Sequence, residues 1–145
     1  MNKVSLKRPM IIEANISLAV LVVEDVAETR DGIEELLNAD GYRVTVARDE
    51  QDAIESALRK RPDLILVSLD GPQEDVIVTA RRIRERAELS EQVPIVVFCI
   101  GEIAEGGEVA IGRNVHVTRP DNFNQLRGFI TRLLLKQPLE VLATA

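Results

Sequence analysis

The sequence predicts an α/β protein of five βα units, a parallel sheet with helices on both faces. Three observations predict it. Short apolar runs alternate with longer segments of helical period along the whole chain. The runs at 18–23, 64–69 and 94–100 are apolar with little interruption, the mark of strands covered on both sides. The joints carry residues that stop helices or open strands, namely Gly41, Pro62, Pro94 and the pair Arg119-Pro120. Consecutive βα units of this kind form right-handed crossovers.

The elements follow in order. Leu18 to Val23 is the first strand. Residues 27–39 form a helix with Ile33, Leu36 and Leu37 on one side, and Gly41 stands where a helix C-terminus favours glycine. Tyr42 to Ala47 alternates with β-branched residues and reads as the second strand. Asp49 caps a second helix carrying Ala53, Ile54, Ala57 and Leu58, with Pro62 after its end. Leu64 to Leu69 is the third strand. Val76, Ala80, Ile83 and Ala87 then recur as one stripe at helical period. Pro94 to Ile100 is the fourth strand.

Residues 101–114 should form the next helix, but Gly101, Gly106, Gly107 and Gly112 each cost up to roughly 1 kcal/mol in a helix interior. The expectation there is a short, frayed or shifted helix. Val115 to Thr118 is the fifth strand. The last helix carries Phe123, Leu126, Phe129, Ile130, Leu133 and Leu134 on a broad apolar face. Residues 1–17 read as an N-terminal arm, 18–135 as one domain and 136–145 as a loose tail. A chain of 145 residues suits a single core.

Composition removes several functions. The chain is 46% apolar and 29% charged, the balance of a globular protein. Its net charge of −6 argues against binding nucleic acid, where phosphate contacts need a basic patch. No apolar run has the length of a membrane span, and 1–17 has no hydrophobic block of the secretory kind. The single cysteine, Cys99, excludes an intrachain disulfide and suits a reducing cytoplasm.

In a parallel sheet, chemistry gathers at the carboxyl ends of the strands. Glu24-Asp25 ends the first strand. Two adjacent acids there suit a hard cation such as Mg²⁺, or else they favour the positive N-terminus of the following helix. The third strand ends in Ser68-Leu69-Asp70-Gly71-Pro72, with a hydroxyl at the edge and a carboxylate two residues on.

The joint order of these residues resembles a receiver domain, the response-regulator module of two-component signalling. The residues that carry the resemblance are Glu24-Asp25, Gly41-Tyr42, Pro62-Asp63-Leu64, Pro72, Pro94-Ile95 and Arg119-Pro120, over about 18–135. The resemblance implies a flavodoxin-like sheet of order 2-1-3-4-5. It also implies transfer of a phosphoryl group from a phosphohistidine to an aspartate ending strand three. Mg²⁺ on the acidic pair would assist, a Thr or Ser after strand four would read the phosphate, and a Lys after strand five would pair with it. An ionised carboxylate attacks phosphorus without a base, while the metal and the ammonium offset the charge.

This chain departs from that pattern at three positions together. Ser68 stands at the acceptor position, Cys99 at the Thr/Ser position and Arg119 at the Lys position, whereas Glu24 and Asp25 are kept. A serine hydroxyl is neutral and needs an adjacent base to attack. Losing the acceptor removes an anionic ligand, so any Mg²⁺ at Glu24 and Asp25 should bind weakly and no cofactor is expected. Cys99 donates poorly to phosphate, and the planar fork of Arg119 does not copy a point charge. Arg119 is expected to pair with Asp25 or Asp70. His116 falls near the position of the family's aromatic switch and should face the output surface, away from Ser68.

The expectation is thus a pseudo-receiver: not an enzyme, but a module that binds a protein such as a histidine kinase, a phosphotransferase or another regulator. An active receiver with its acceptor moved to Asp70, or to Asp25, is the alternative. A nucleotide or flavin binder of flavodoxin type is a distant third, because Glu24-Asp25-Val26-Ala27-Glu28 would repel a phosphate. In this family the output surface is helix four, strand five and helix five. A homodimer through that face is expected, since Leu133, Leu134 and Leu135 cannot all face one core.

Overall fold

A computed structural model of the chain describes residues 18–98 and 103–144. Its strands are β1 (Ala19–Glu24), β2 (Arg43–Ala47), β3 (Leu64–Ser68), β4 (Ile95–Phe98), β5 (Glu108–Gly112) and β6 (Val115–Thr118). Its helices are α1 (Ala27–Ala39), α2 (Glu50–Arg59), α3 (Gln73–Arg86) and α4 (Phe123–Thr144). The six strands form one sheet in the order β2-β1-β3-β4-β6-β5. All pairings are parallel except β5 with β6, which is antiparallel.

Strand alternation divides the core in two. Leu21, Val23, Ile65, Val67, Ile95 and Val97 point one way, against Ala53 and Ala57 of α2 and Val76, Ala80 and Ile83 of α3. Val20, Val22, Leu64, Leu66 and Val96 point the other way, against Ile33 and Leu37 of α1 and Leu126, Phe129 and Ile130 of α4. Helices therefore cover both faces, which is why β1, β3 and β4 are apolar at nearly every position. Asp49 caps α2 as expected, accepting from the Asp52 N–H at 2.9 Å, a contact of about 1 kcal/mol.

Three expectations need correction. The fourth helix does not form: 103–107 is a turn and β5 follows, an antiparallel strand added to the edge of the expected 2-1-3-4-5 order. Val109 and Ile111 favour a strand, and Arg113 and Asn114 take φ of 54° and 60°, the backbone of a two-residue hairpin turn. Next, the last helix is longer than the apolar face 123–134 implies, since α4 runs on to Thr144. Leu, Glu, Ala and Gln there are strong helix formers, and Pro138 removes one backbone donor without ending the run. Finally, Leu36 and Leu58 are 45% and 50% exposed, because each sits at the flank of the stripe that faces the sheet. Residues 1–17 lie outside the described structure.

The leucine run resolves as its geometry requires, with Leu133 and Leu134 buried and Leu135 49% exposed. No described helix is long and apolar enough to cross a membrane.

Candidate functional site at the carboxyl edge of the sheet

β1 and β3 pair with Glu24 opposite Ser68, so the two residues end their strands side by side. Both continue the alternation that faces α1 and α4. Ser68 is half-buried and lines a pocket of about 490 Å³ with Asp70, Pro72, Phe98, Arg119 and Pro120. Sequence reasoning brings Ser68, Asp70 and Arg119 to one place, and the fold unites them. It passes over Phe98, Gln73 and Val76, which also line the pocket. None of these carries a charge or a nucleophile, although each ends a strand or opens a helix.

The acids do not converge. Glu24 is 3% exposed, and its carboxylate accepts from the Val26 N–H at 3.1 Å, at the start of α1. Its backbone carbonyl accepts from Arg30 Nη1 at 2.9 Å. Asp25, one residue on, is exposed, as is Asp70. Of the two readings of the acidic pair, the contact of Glu24 is the one with the helix start, where partial positive charge favours a carboxylate. Among the described residues, no three His, Cys, Asp or Glu side chains group as they would around a metal ion. With Ser68 where a third acid would stand, the donors present do not fit a resident Mg²⁺.

Arg119 does not pair with Asp25 or Asp70. Its Nη1 donates to the Ile103 carbonyl at 3.1 Å, its N–H to the Gly107 carbonyl at 3.0 Å, and its own carbonyl accepts from the Gly106 N–H at 2.6 Å. The preceding Thr118 is buried, and its hydroxyl donates to the Gly107 carbonyl at 3.2 Å. Residues 103–107 thus hold Arg119, which lines the pocket, and Thr118 before it through main-chain hydrogen bonds. The partly buried guanidinium is held there by an uncharged acceptor.

His116 lies on the α4 side of β6, with its ring edge-on to Phe129 at 5.8 Å and 85°. Its Nε2 is 2.9 Å from Asn114 Oδ1. It is not among the residues that line the Ser68 pocket. Cys99 lies outside the described residues.

Solved structures share the architecture. The receiver domain of a sensor histidine kinase from Pseudomonas aeruginosa, with magnesium in its active-site cleft, is 28% identical over 81% of this chain and 98% of that one, with a TM-score of 0.62. A CheY-like receiver domain protein from Methanospirillum hungatei is 16% identical over 86% and 99% of the two chains, at 0.65. A chemotaxis protein of Vibrio cholerae is 23% identical over 80% and 98%, at 0.61. The model of the response regulator receiver domain matches residues 20–127, from β1 into α4 and through every strand end described above. The chain therefore belongs to the receiver-domain family of two-component signalling.

Proposed function

We propose that this receiver signals by docking a protein partner and carries no phosphoryl group at the acceptor position. The observation that supports this reading most is Ser68, a neutral hydroxyl in register with Glu24 at the end of β3. Two contacts agree with it. The Glu24 carboxylate accepts from Val26 and Arg119 Nη1 donates to Ile103, so neither is aimed at a phosphoryl group or its metal. The partner is a histidine kinase, a phosphotransferase or another regulator, met in the cytoplasm, and the domain itself is not an enzyme. Nucleic acid is a poor partner for a chain of net charge −6.

The docking face is the one formed by β5, β6 and α4. It departs from the helix-strand-helix face of the family because β5 replaces the helix. Leu135 is an exposed apolar residue on it, and Arg132 of α4 pairs with Glu108 of β5 at 3.0 Å. A second copy of the chain is one occupant of this face, checked by light scattering across concentration.

Incubation with acetyl phosphate and Mg²⁺, read by intact mass, is expected to leave the mass unchanged. Beryllofluoride is expected to leave the amide NMR shifts of the pocket unmoved. A stable, site-specific phosphoryl adduct overturns the reading. Asp70 is the position to examine in that event, since it lines the same pocket as Ser68 and Arg119. Transfer lost in Asp70→Asn and kept in Ser68→Ala identifies a shifted acceptor.

A further inference from the structure

The β5–β6 hairpin builds a second cleft on the opposite face of the sheet, against α3. It has a volume of about 430 Å³, with Arg81, Arg84 and Arg113 on its walls and Val78 and Leu89 among its apolar lining. Arg82 also borders it but is already neutralised, since Glu50 receives its fork at 2.5 and 2.6 Å. The other three arginines form no ion pair among the described residues.

Their surroundings are those of cations without an anion. Arg84 is 4% exposed, yet its hydrogen bonds go to carbonyls: Val93 at 2.9 Å, Arg113 at 2.5 Å and Asn114 at 3.4 Å. Arg81 reaches only the Ile111 carbonyl, at 3.5 Å, and its buried Nε has no partner. Burial lowers the affinity of Arg84 for its proton; Glu91 opposes that, and the charges of Arg81 and Arg113 add to it. Arg84 is buried and Arg81 half-buried, and neither they nor the exposed Arg113 have a carboxylate ion-pair partner among the described residues, so positive charge gathered and partly desolvated at one cleft points to an anion from outside. Two acids, Glu85 and Glu91, also line the cleft, against the three guanidinium charges of Arg81, Arg84 and Arg113.

We propose that this cleft is a binding site for a small organic phosphate, its oxyanion held by Arg81 and Arg113 with the carbonyl-bound charge of Arg84 behind them, and its carbon body against Val78 and Leu89. Guanidinium forks match the geometry of phosphate oxygens, several at once. The volume is that of a small-molecule pocket and exceeds what a bare oxyanion fills. Because Arg81 and Arg84 stand on α3 and Arg113 on the hairpin turn, a ligand bridging them fastens the turn to the helix. The inference is independent of whether Ser68 or Asp70 ever carries phosphate.

The test is a titration of the full chain with three probes, inorganic phosphate, glycerol 3-phosphate and adenosine 5′-monophosphate, followed by amide and arginine Nε–H NMR signals. Saturable shifts are expected at Arg81, Arg84 and Arg113, with at least one of the two esters binding about tenfold more tightly than inorganic phosphate. Arg113→Glu, on an exposed turn whose side chain supports no described contact, is expected to weaken that binding by more than about tenfold while leaving the fold's spectrum intact. Arg81→Gln is expected to act in the same direction. The inference is overturned by an absence of saturable shifts around the cleft with all three probes. Binding that is indifferent to both variants, or no tighter for either ester than for inorganic phosphate, overturns it equally.

Discussion

Replacing Arg84 with methionine tests how the hairpin is attached to the rest of the domain. The substitution keeps most of the side-chain volume and removes every donor. Of the three carbonyls Arg84 serves, that of Asn114 keeps a second partner in the Ile95 N–H at 3.0 Å. The carbonyls of Val93 and Arg113 lose the bonds described for them. An orphaned buried acceptor costs about 1–3 kcal/mol, so two give about 2–6 kcal/mol. Both acceptors lie in surface turns, where water recovers part of the loss. Removing a desolvated cation that has no carboxylate also offsets some of it. The lower end then governs, and a loss of about 2 kcal/mol is expected. Urea unfolding at neutral pH, followed by far-ultraviolet circular dichroism with an unchanged m-value, measures it. Arg61→Met is the control: Arg61 likewise donates to two carbonyls, Ala87 and Glu88 at 2.7 Å each, but is exposed. Its loss should stay within the roughly 0.5 kcal/mol of an ordinary surface change. Equal losses in the two variants, or a gain in Arg84→Met, would refute the claim that burial of the clamp decides its worth.

Other outcomes follow from single contacts. The fork of Arg82 on Glu50, ahead of the charges of Arg82 and Arg86, holds the Glu50 carboxyl below its ordinary value against the opposing effect of burial. A depressed carboxylate stabilises the fold above its unfolded pKa and ceases to as pH falls through the folded one. Glu50→Gln should therefore be less stable than the parent at neutral pH, and the difference should vanish in the acid range, as thermal unfolding across pH would register. In Gly107→Ala the new Cβ would stand 2.8 Å from the Ala104 carbonyl, a backbone atom that cannot move aside alone. A loss of about 1–3 kcal/mol is expected, with faster hydrogen exchange at the Arg119 N–H that bonds the Gly107 carbonyl. Ser68→Asp, which restores a carboxylate at the strand end, should remain unlabelled by acetyl phosphate while Glu24 stays bound to Val26 and Arg119 to Ile103. Intact mass checks it.

The elements that could be read in the sequence are those whose burial is one-sided or complete. Ile33 and Leu37 mark the inner stripe of α1, and its bounds at 27–39 agree with their period. Val20 to Val23 and Leu64 to Val67 are buried on both faces, so an unbroken apolar run was enough to mark them as strands. The segment at 101–114 was harder because glycines argue against a helix without arguing for a strand. The available signal was Val109 and Ile111 in alternation, followed by Gly112-Arg113-Asn114, where asparagine tolerates the left-handed backbone of the turn. The convergence of Ser68, Asp70 and Arg119 was legible because topology alone brings strand ends together. The bonds of Glu24 and Arg119 were not. Each found a main-chain partner from a neighbouring turn, and a pattern of residue types does not encode the aim of a side chain.

The hairpin and the altered pocket are physically one change. Arg119 leaves β6 toward the pocket, and its backbone is fixed on both sides by Gly106 and Gly107, residues that exist in this position because the chain turns into β5. That same turn offers the Ile103 carbonyl to the guanidinium. A charge-assisted bond of this kind contributes roughly 1.5–3 kcal/mol, and a phosphoryl group would have to displace it. A cation held by its own main chain is committed to the fold, in contrast to one that waits for a phosphate. The price of that commitment is an edge strand, since β5 is the outermost strand of its sheet. The edge is blunted by its five-residue length, by the irregular register between Ala110 and Gly112, and by Glu108 held to Arg132. Indiscriminate strand pairing is thereby discouraged, and a partner that docks here must engage the hairpin and α4 together.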